Sequence, residues 1–227
     1  MKLFIKILLV LLILTMPALF VTTAIRVALT PLFVNIEYHL PGFPADEYGF
    51  TSADRLTWSC YSINYLLGRE SHEELANQRL PDGTPLYNKR ELSHMLDVRN
   101  LTVIVLKVWL GLTAFFILVT YLCWITQNID SWFTAVRRGG NLTFAFIFSI
   151  LFYLVINFNQ LFTQFHQLFF EGDSWLFLMS DNLIRLFPVR FWRDIFIFIG
   201  GLSILLGDLF IYFSKNHFRK QINKAQE

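Results

Sequence analysis

Four long apolar runs constrain this chain more than any other feature. They cover about residues 3–24, 101–125, 142–165 and 191–213 of the 227. A helix crosses the hydrocarbon core of a bilayer with about 20 apolar residues, at about 1.5 Å per residue, so each run is long enough to span. Because 55% of all residues are hydrophobic, an ordinary soluble domain is excluded. The sequence therefore predicts an all-α integral membrane protein with four transmembrane helices.

The first run resembles a signal peptide in its opening letters, MKLFIK. Its apolar stretch is longer than the roughly 7–15 residues of a typical signal sequence. The rest of the chain is also rich in membrane-length runs. We therefore expect the first run to be retained as a span.

Basic residues predict the orientation of the spans. Lysines precede the first run, Arg137 and Arg138 separate the second from the third, and SKNHFRKQINK follows the fourth. Short cytoplasmic segments carry an excess of Lys and Arg, so we expect both termini inside. Residues 37–100 then form a small extracytoplasmic cap within a single membrane domain of residues 1–227. Short helices are predicted in this cap after Thr51 or Ser52, and after Ser71, where Glu74 completes a capping box.

The third apolar run becomes polar in its second half, which reads INFNQLFTQFHQLFF. Asn159, Thr163 and His166 follow one another at helical spacing and share one face. Polar side chains at membrane depth are costly in lipid and normally face a bundle interior or a wet cavity. The stretch predicts a cavity that opens outward.

Two histidines lie at the predicted outer boundary of the membrane, His94 before the second run and His166 directly after the third run of residues 142–165. Histidine titrates near neutral pH, so the pair suits acid and base catalysis at a lipid headgroup. Alternatively, each is an interfacial histidine bonded to loop backbone. Glu91 and Asp97 lie one helical turn before and after His94. They either orient that ring or pair with neighbouring basic residues.

Other chemistries have weaker support in the sequence. There is no G-x-S-x-G motif, and SHEEL lacks the second histidine of H-E-x-x-H. An enzyme of this kind would use a nucleophile supplied by its substrate. A metal site formed by both histidines and a carboxylate stays open, as in a metal-dependent membrane lipid hydrolase. A small proton-coupled transporter, with Lys107 and Asp208 on the path, is a further alternative. Asp173, which follows His166, either caps a helix or reaches the cavity.

Several segments resemble one known family. They are LYNKRELSHMLDVRN before the second run, LFTQFHQLFFEGDSWLF after the third and DNLIRLFPVRFW before the fourth. YGFTSADRL and INYLLG in the outer loop are similar to the same family. Together they resemble the lipoprotein intramolecular transacylases (Lit) of Gram-positive bacteria over nearly the whole chain.

The resemblance implies an acyltransferase of the bacterial cytoplasmic membrane, with its active site at the outer leaflet. It would move the sn-2 acyl chain of a diacylglyceryl-cysteine lipoprotein to the N-terminal α-amine, giving the lyso form. His94 and His166 would be its catalytic histidines, without metal or cofactor. The implied partners are diacylated lipoproteins and membrane lipid, and not nucleic acid. Which histidine is the base stays open, as does the oligomeric state.

Overall fold

Helices and loops make up the protein, whose computed structural model describes residues 2–224. The helices are α1 (Lys2–Ala28), α2 (Pro31–Tyr38), α3 (Ser52–Leu66), α4 (His72–Ala76), α5 (Lys89–Ile125), α6 (Ile129–Ile156), α7 (Phe158–Phe169), α8 (Asn182–Leu186) and α9 (Val189–Lys224). Four of them, α1, α5, α6 and α9, are long and apolar enough to cross a membrane. The predicted all-α fold with four candidate spans is confirmed.

The third span differs from the prediction of one continuous helix over residues 142–165. Helix α6 ends at Ile156 and a separate helix, α7, begins at Phe158. Asn157 lies between them in a non-helical conformation, and its side chain accepts the Gln160 N–H at 3.1 Å. Asparagine is a strong N-cap because its oxygen bonds a free N–H of the first turn. The polar half of the run is therefore a helix of its own.

The second span also differs, because α5 begins at Lys89 rather than near residue 101. Residues 89–100, which precede the apolar run, are continuous with the long helix. His94 consequently stands on a long regular helix and not on a loop.

The described chain divides into two compact units. The first contains residues 2–25, 107–153 and 197–224, and the second contains residues 26–106 and 154–196. Apolar side chains of α1, α5 and α6 form the core of the first unit, including Leu12, Met16, Val119 and Val136. The predicted histidine pair belongs to the second unit.

Helices α6 and α9 approach each other closely through two glycines. A Cβ atom on Gly140 would lie 2.7 Å from the carbonyl oxygen of Gly207, well inside van der Waals contact. Small residues allow this approach between membrane helices, where packing supplies much of the association energy.

Gly140→Ala is therefore expected to destabilise the protein, because its methyl group forces α6 away from the α9 backbone. Overpacking of this kind costs about 1–3 kcal/mol. The measurement is the melting temperature of the purified protein in detergent. Gly201→Ala on α9 is the control, since its Cβ would meet nothing within 4 Å. Equal melting temperatures of the two variants would contradict the close helix contact.

The short helices of the second unit begin where the sequence predicted. Thr51 and Asp54 form a capping box at α3, and Ser71 and Glu74 form another at α4. The helices are joined by polar contacts from a distance in sequence. The Tyr38 hydroxyl, at the end of α2, contacts the Ser59 hydroxyl of α3 and donates to a carbonyl of α8.

Candidate active site

The two predicted histidines lie side by side in the second unit. His94 comes from the second turn of α5 and His166 from α7. Their ring centroids are 6.0 Å apart and their planes differ by 23°. Only 5% of His94 and 6% of His166 are exposed. The fold thus brings together two residues 72 positions apart (166 − 94) in a sheltered place.

The tautomer of His166 follows from its one hydrogen bond to the backbone. Nδ1 lies 2.8 Å from the Phe162 carbonyl oxygen, which can only accept, so Nδ1 carries the proton and donates. Burial lowers the pKa of His166, and the bond to Phe162 offsets this only in part. The ring is therefore neutral at pH 7, with the lone pair on Nε2. A neutral imidazole with this lone pair can accept a proton.

His94 has no corresponding partner. Its Nδ1 is buried and forms no hydrogen bond within residues 2–224. Buried polar atoms are nearly always hydrogen-bonded, so this nitrogen is an exception within the described residues.

Aromatic rings enclose the pair. Phe162 and Trp175 lie 4.1 and 4.9 Å from the His166 ring, centroid to centroid. Phe170 and Phe177 lie 4.9 and 5.3 Å from the His94 ring. These rings exclude water, which lowers the local dielectric constant and strengthens interactions with developing charge.

Part of this enclosure can be predicted from helical spacing. Phe162 and Phe170 stand four residues before and after His166, and side chains at this spacing meet on a helix. Trp175 lies beyond the end of α7, and no helical spacing predicts that its ring lies against His166.

Glu91 plays a different part from the one predicted. Its side chain is 1% exposed and accepts two backbone N–H groups, from Asn88 and from Leu183, each at 2.7 Å. Both carboxylate oxygens are thus occupied by backbone, and Glu91 makes no bond to His94. Leu183 belongs to α8, so Glu91 fastens the first turn of α5 to that helix. It holds the base of the helix that carries His94.

The loop of residues 170–181 is fastened to the start of α5 by polar contacts that the sequence analysis missed. Arg90 donates to the Leu176 carbonyl at 3.1 Å, and the Asn88 amide donates to Asp181 at 3.2 Å. Asn182, directly after the loop, donates to the Leu86 carbonyl at 2.6 Å. The loop carries Trp175 and Phe177, so these contacts hold both rings against the histidines.

The other predicted supporting residues are not joined to the pair. Within residues 2–224, no side-chain hydrogen bond or ion pair connects either histidine ring to Asp97, Asn159, Thr163 or Asp173. Asn159 and Asp173 are exposed, and Asp97 and Thr163 are half-buried. The same part of the chain contains no group of three or more His, Cys, Asp or Glu placed to hold a metal ion.

Lys107 and Asp208, the further residues of the transporter alternative, are exposed side chains of the first unit. Neither forms an ion pair within residues 2–224.

Comparison with known proteins decides the family. The family model of the lipoprotein intramolecular transacylase Lit matches residues 7–192. The chain belongs to the Lit family. This confirms the resemblance seen in the sequence. The family and the four candidate spans together identify the chain as a multi-pass membrane protein of an acyl-transferring enzyme family.

Solved structures of Lit share the fold. The membrane-integral Lit of Bacillus cereus superposes with a TM-score of 0.75 at 20% identity, covering 100% of this chain and 99% of that one. A variant of the same enzyme with one histidine replaced by alanine gives a TM-score of 0.69 at 18% identity, covering 96% and 95%. An uncharacterized protein of Aquifex aeolicus is 28% identical over 215 residues, covering 91% of this chain and 93% of its own.

Proposed function

We propose that this Lit family member moves the sn-2 acyl chain of a diacylglyceryl-cysteine lipoprotein onto the N-terminal α-amine, leaving a lyso-glyceryl group. The observation that carries this proposal is the buried pair of histidines in a chain of the Lit family. Structures of the Bacillus cereus relative include variants with a histidine replaced by alanine or by arginine, so a histidine of that enzyme has also been singled out.

His166 is the proposed general base. The substrate amine is an ammonium group at neutral pH and must lose a proton before it attacks the ester. The His166 Nε2 lone pair takes that proton, because Nδ1 is already committed to the Phe162 carbonyl. A C–N bond then forms to the ester carbon, and the carbonyl oxygen becomes an oxyanion.

His94 is the proposed partner for the oxyanion and the leaving group. Its ring lies beside that of His166 and can donate an N–H to the developing charge. When the C–O bond to glycerol breaks, one of the two protons that the ammonium group loses passes to the glycerol oxygen through the histidine pair, and the other is released to solvent. Two N–H bonds are lost, one O–H bond is gained and one proton is set free, so no water, metal or cofactor is consumed.

The tethered nucleophile explains why no serine or cysteine nucleophile is needed. Amine and ester belong to one molecule, so the main task of the protein is to bring them into contact distance. The aromatic enclosure supports this by excluding water, which would otherwise compete as a nucleophile.

The proposed orientation has both termini in the cytoplasm and the histidine pair at the outer leaflet. Lys6, Arg137 and Arg138 lie at the ends of α1 and α6 that this topology directs inward, together with the basic end of α9. The positive-inside rule supports this arrangement.

The test is mass spectrometry of the N-terminal lipopeptide of a reporter lipoprotein, in a bacterial strain that lacks N-acylation. Expression of this protein is expected to yield an isomer of equal mass, whose fragments place one acyl chain on nitrogen and one on glycerol. Fragments that stay diacylglyceryl with a free amine, despite good expression, would refute the proposal.

The pH dependence follows from the lowered pKa of His166. The base is active when neutral, so kcat/KM is expected to fall as pH drops, with a midpoint below the ordinary histidine value of about 6.5. Initial rates on a synthetic diacylated lipopeptide from pH 4.5 to 7.5 measure this limb. The substrate amine titrates near pH 8, so its titration is separated from the acid limb of His166. A midpoint above 6.5 would contradict a buried histidine base.

A further inference from the structure

A basic cleft lies in the first unit and shares no lining residue with the histidine pair. It is formed by the first turns of α6 and the last turns of α9 and has a volume of about 490 Å³. Three cations line it, Arg137 from α6 and Lys215 and Arg219 from α9, together with the apolar side chains Phe218 and Ile222.

Helical spacing explains why these side chains meet. Lys215, Arg219 and Ile222 are four and three residues apart, so they share one face of α9. Arg137 faces them from α6. The cleft therefore combines a concentrated positive charge with an apolar wall, contributed by two different helices.

The three cations have no anionic partner within residues 2–224: none of them forms an ion pair there, and no acidic side chain lines the cleft. Asp130, at the start of α6, is engaged elsewhere: it accepts from Gln221 at 2.8 Å and pairs with His217 at 2.7 Å. The positive charge of the cleft is thus available to a bound anion.

We propose that this cleft binds the phosphate headgroup of an anionic phospholipid. Lys215 follows directly on the apolar part of α9, which puts the cations at the depth of headgroups. Arginine forks and a lysine suit phosphate oxygens, and basic pockets between the ends of membrane helices recognise anionic headgroups. Phe218 and Ile222 offer contact to the glycerol and upper acyl chain, which a free phosphate ion lacks.

The test compares lipids of equal chain length on the full protein purified in neutral detergent. Native mass spectrometry is expected to show tighter binding of phosphatidylglycerol than of phosphatidylcholine. The triple variant Arg137→Gln, Lys215→Gln, Arg219→Gln is expected to lower the phosphatidylglycerol affinity about 100-fold, at about fivefold per charge. The control is Arg138→Gln, Lys220→Gln, Lys224→Gln, which removes three exposed cations of the same two helices outside the cleft and should retain the affinity.

Three outcomes would overturn the proposal. Equal loss in both triple variants would mean a nonspecific charge effect, and equal binding of phosphatidylcholine would mean no headgroup selectivity. Competition by inorganic phosphate at the lipid's own concentration would mean a phosphate-ion site and not a lipid site. If the cleft variant does not fold, Arg219→Gln alone, with an expected loss of about fivefold, takes its place.

Discussion

Replacing either His94 or His166 by alanine is expected to lower the rate of acyl migration by about 10²- to 10⁴-fold, the usual contribution of general acid–base catalysis. Each variant removes one of the two rings that stand 6.0 Å apart inside the aromatic enclosure. The measurement is the initial rate of conversion of a synthetic diacylated lipopeptide by purified enzyme, followed by the fragment ions of the N-acylated isomer.

The control for this experiment is His39→Ala. His39 is exposed at the end of α2, and its ring Nδ1 lies 2.7 Å from the Asn35 carbonyl oxygen of the same helix. It is expected to retain the wild-type rate, and melting temperatures of all three variants check their folding. Full activity of a well-folded His166→Ala variant would remove the proposed base.

The pH profile separates the two histidines. The acid limb belongs to the ring that must be neutral, which the Nδ1–H bond to Phe162 assigns to His166. Residual activity of His94→Ala should therefore keep the limb, whereas that of His166→Ala should lose it. The reverse result would exchange the roles of base and proton donor.

The spans and the histidine pair could be predicted because each rests on a local signal. Apolar length predicts a membrane helix, and the position of a histidine next to such a run predicts its depth. Two residues at the same depth can come into contact when their helices are neighbours. The sequence predicts the common depth of the two histidines, and the fold then makes their helices neighbours.

The break at Asn157 was missed because asparagine fits two patterns at once. It continues the polar stripe of a helix, and it is also a favourable N-cap. The residues before the break are apolar and those after it alternate apolar and polar groups at helical spacing, so both sides are typical of a helix and periodicity alone does not reveal the break. The aromatic enclosure was hidden for another reason: 25 phenylalanines are spread along the chain, and nothing local distinguishes the few that surround His94.

The partner of Glu91 was equally hidden, because Leu183 is 92 residues away and contributes only its backbone N–H. Almost any residue type can donate a backbone N–H, so the residue type at the donor position does not indicate the bond. The sequence therefore suggested the nearest polar ring, His94, while the carboxylate is used to join α5 and α8.

Glu91→Gln is expected to destabilise the protein and slow the reaction although it is nearly isosteric. The carboxylate accepts two buried N–H groups, whereas an amide has one oxygen and turns its NH₂ toward the second donor. A buried donor left unsatisfied costs about 1–3 kcal/mol. At about 2–4 °C per kcal/mol for a chain of this size, the melting temperature is expected to fall by roughly 2–12 °C.

Asp97→Asn is the matched control for Glu91→Gln, since it makes the same chemical change in the same helix. Asp97 is half-buried and makes no hydrogen bond to either histidine, so we expect its melting temperature to stay within about 2 °C of the wild type. Thermal unfolding in detergent measures both variants. If the Glu91→Gln and Asp97→Asn variants had the same melting temperature, the two backbone hydrogen bonds of Glu91 would not stabilise the fold.

The activity of Glu91→Gln distinguishes a positioning role from direct participation. Glu91 touches neither ring, and its loss loosens the α5 turn and the loop that presents Trp175 and Phe177. We expect kcat to fall and the midpoint of the acid limb to rise toward the ordinary histidine value, because a loosened loop uncovers the His166 ring, whose burial lowers its pKa. A lowered midpoint would mean that the negative charge of Glu91 stabilises the protonated base itself, and the carboxylate would then belong to the catalytic machinery.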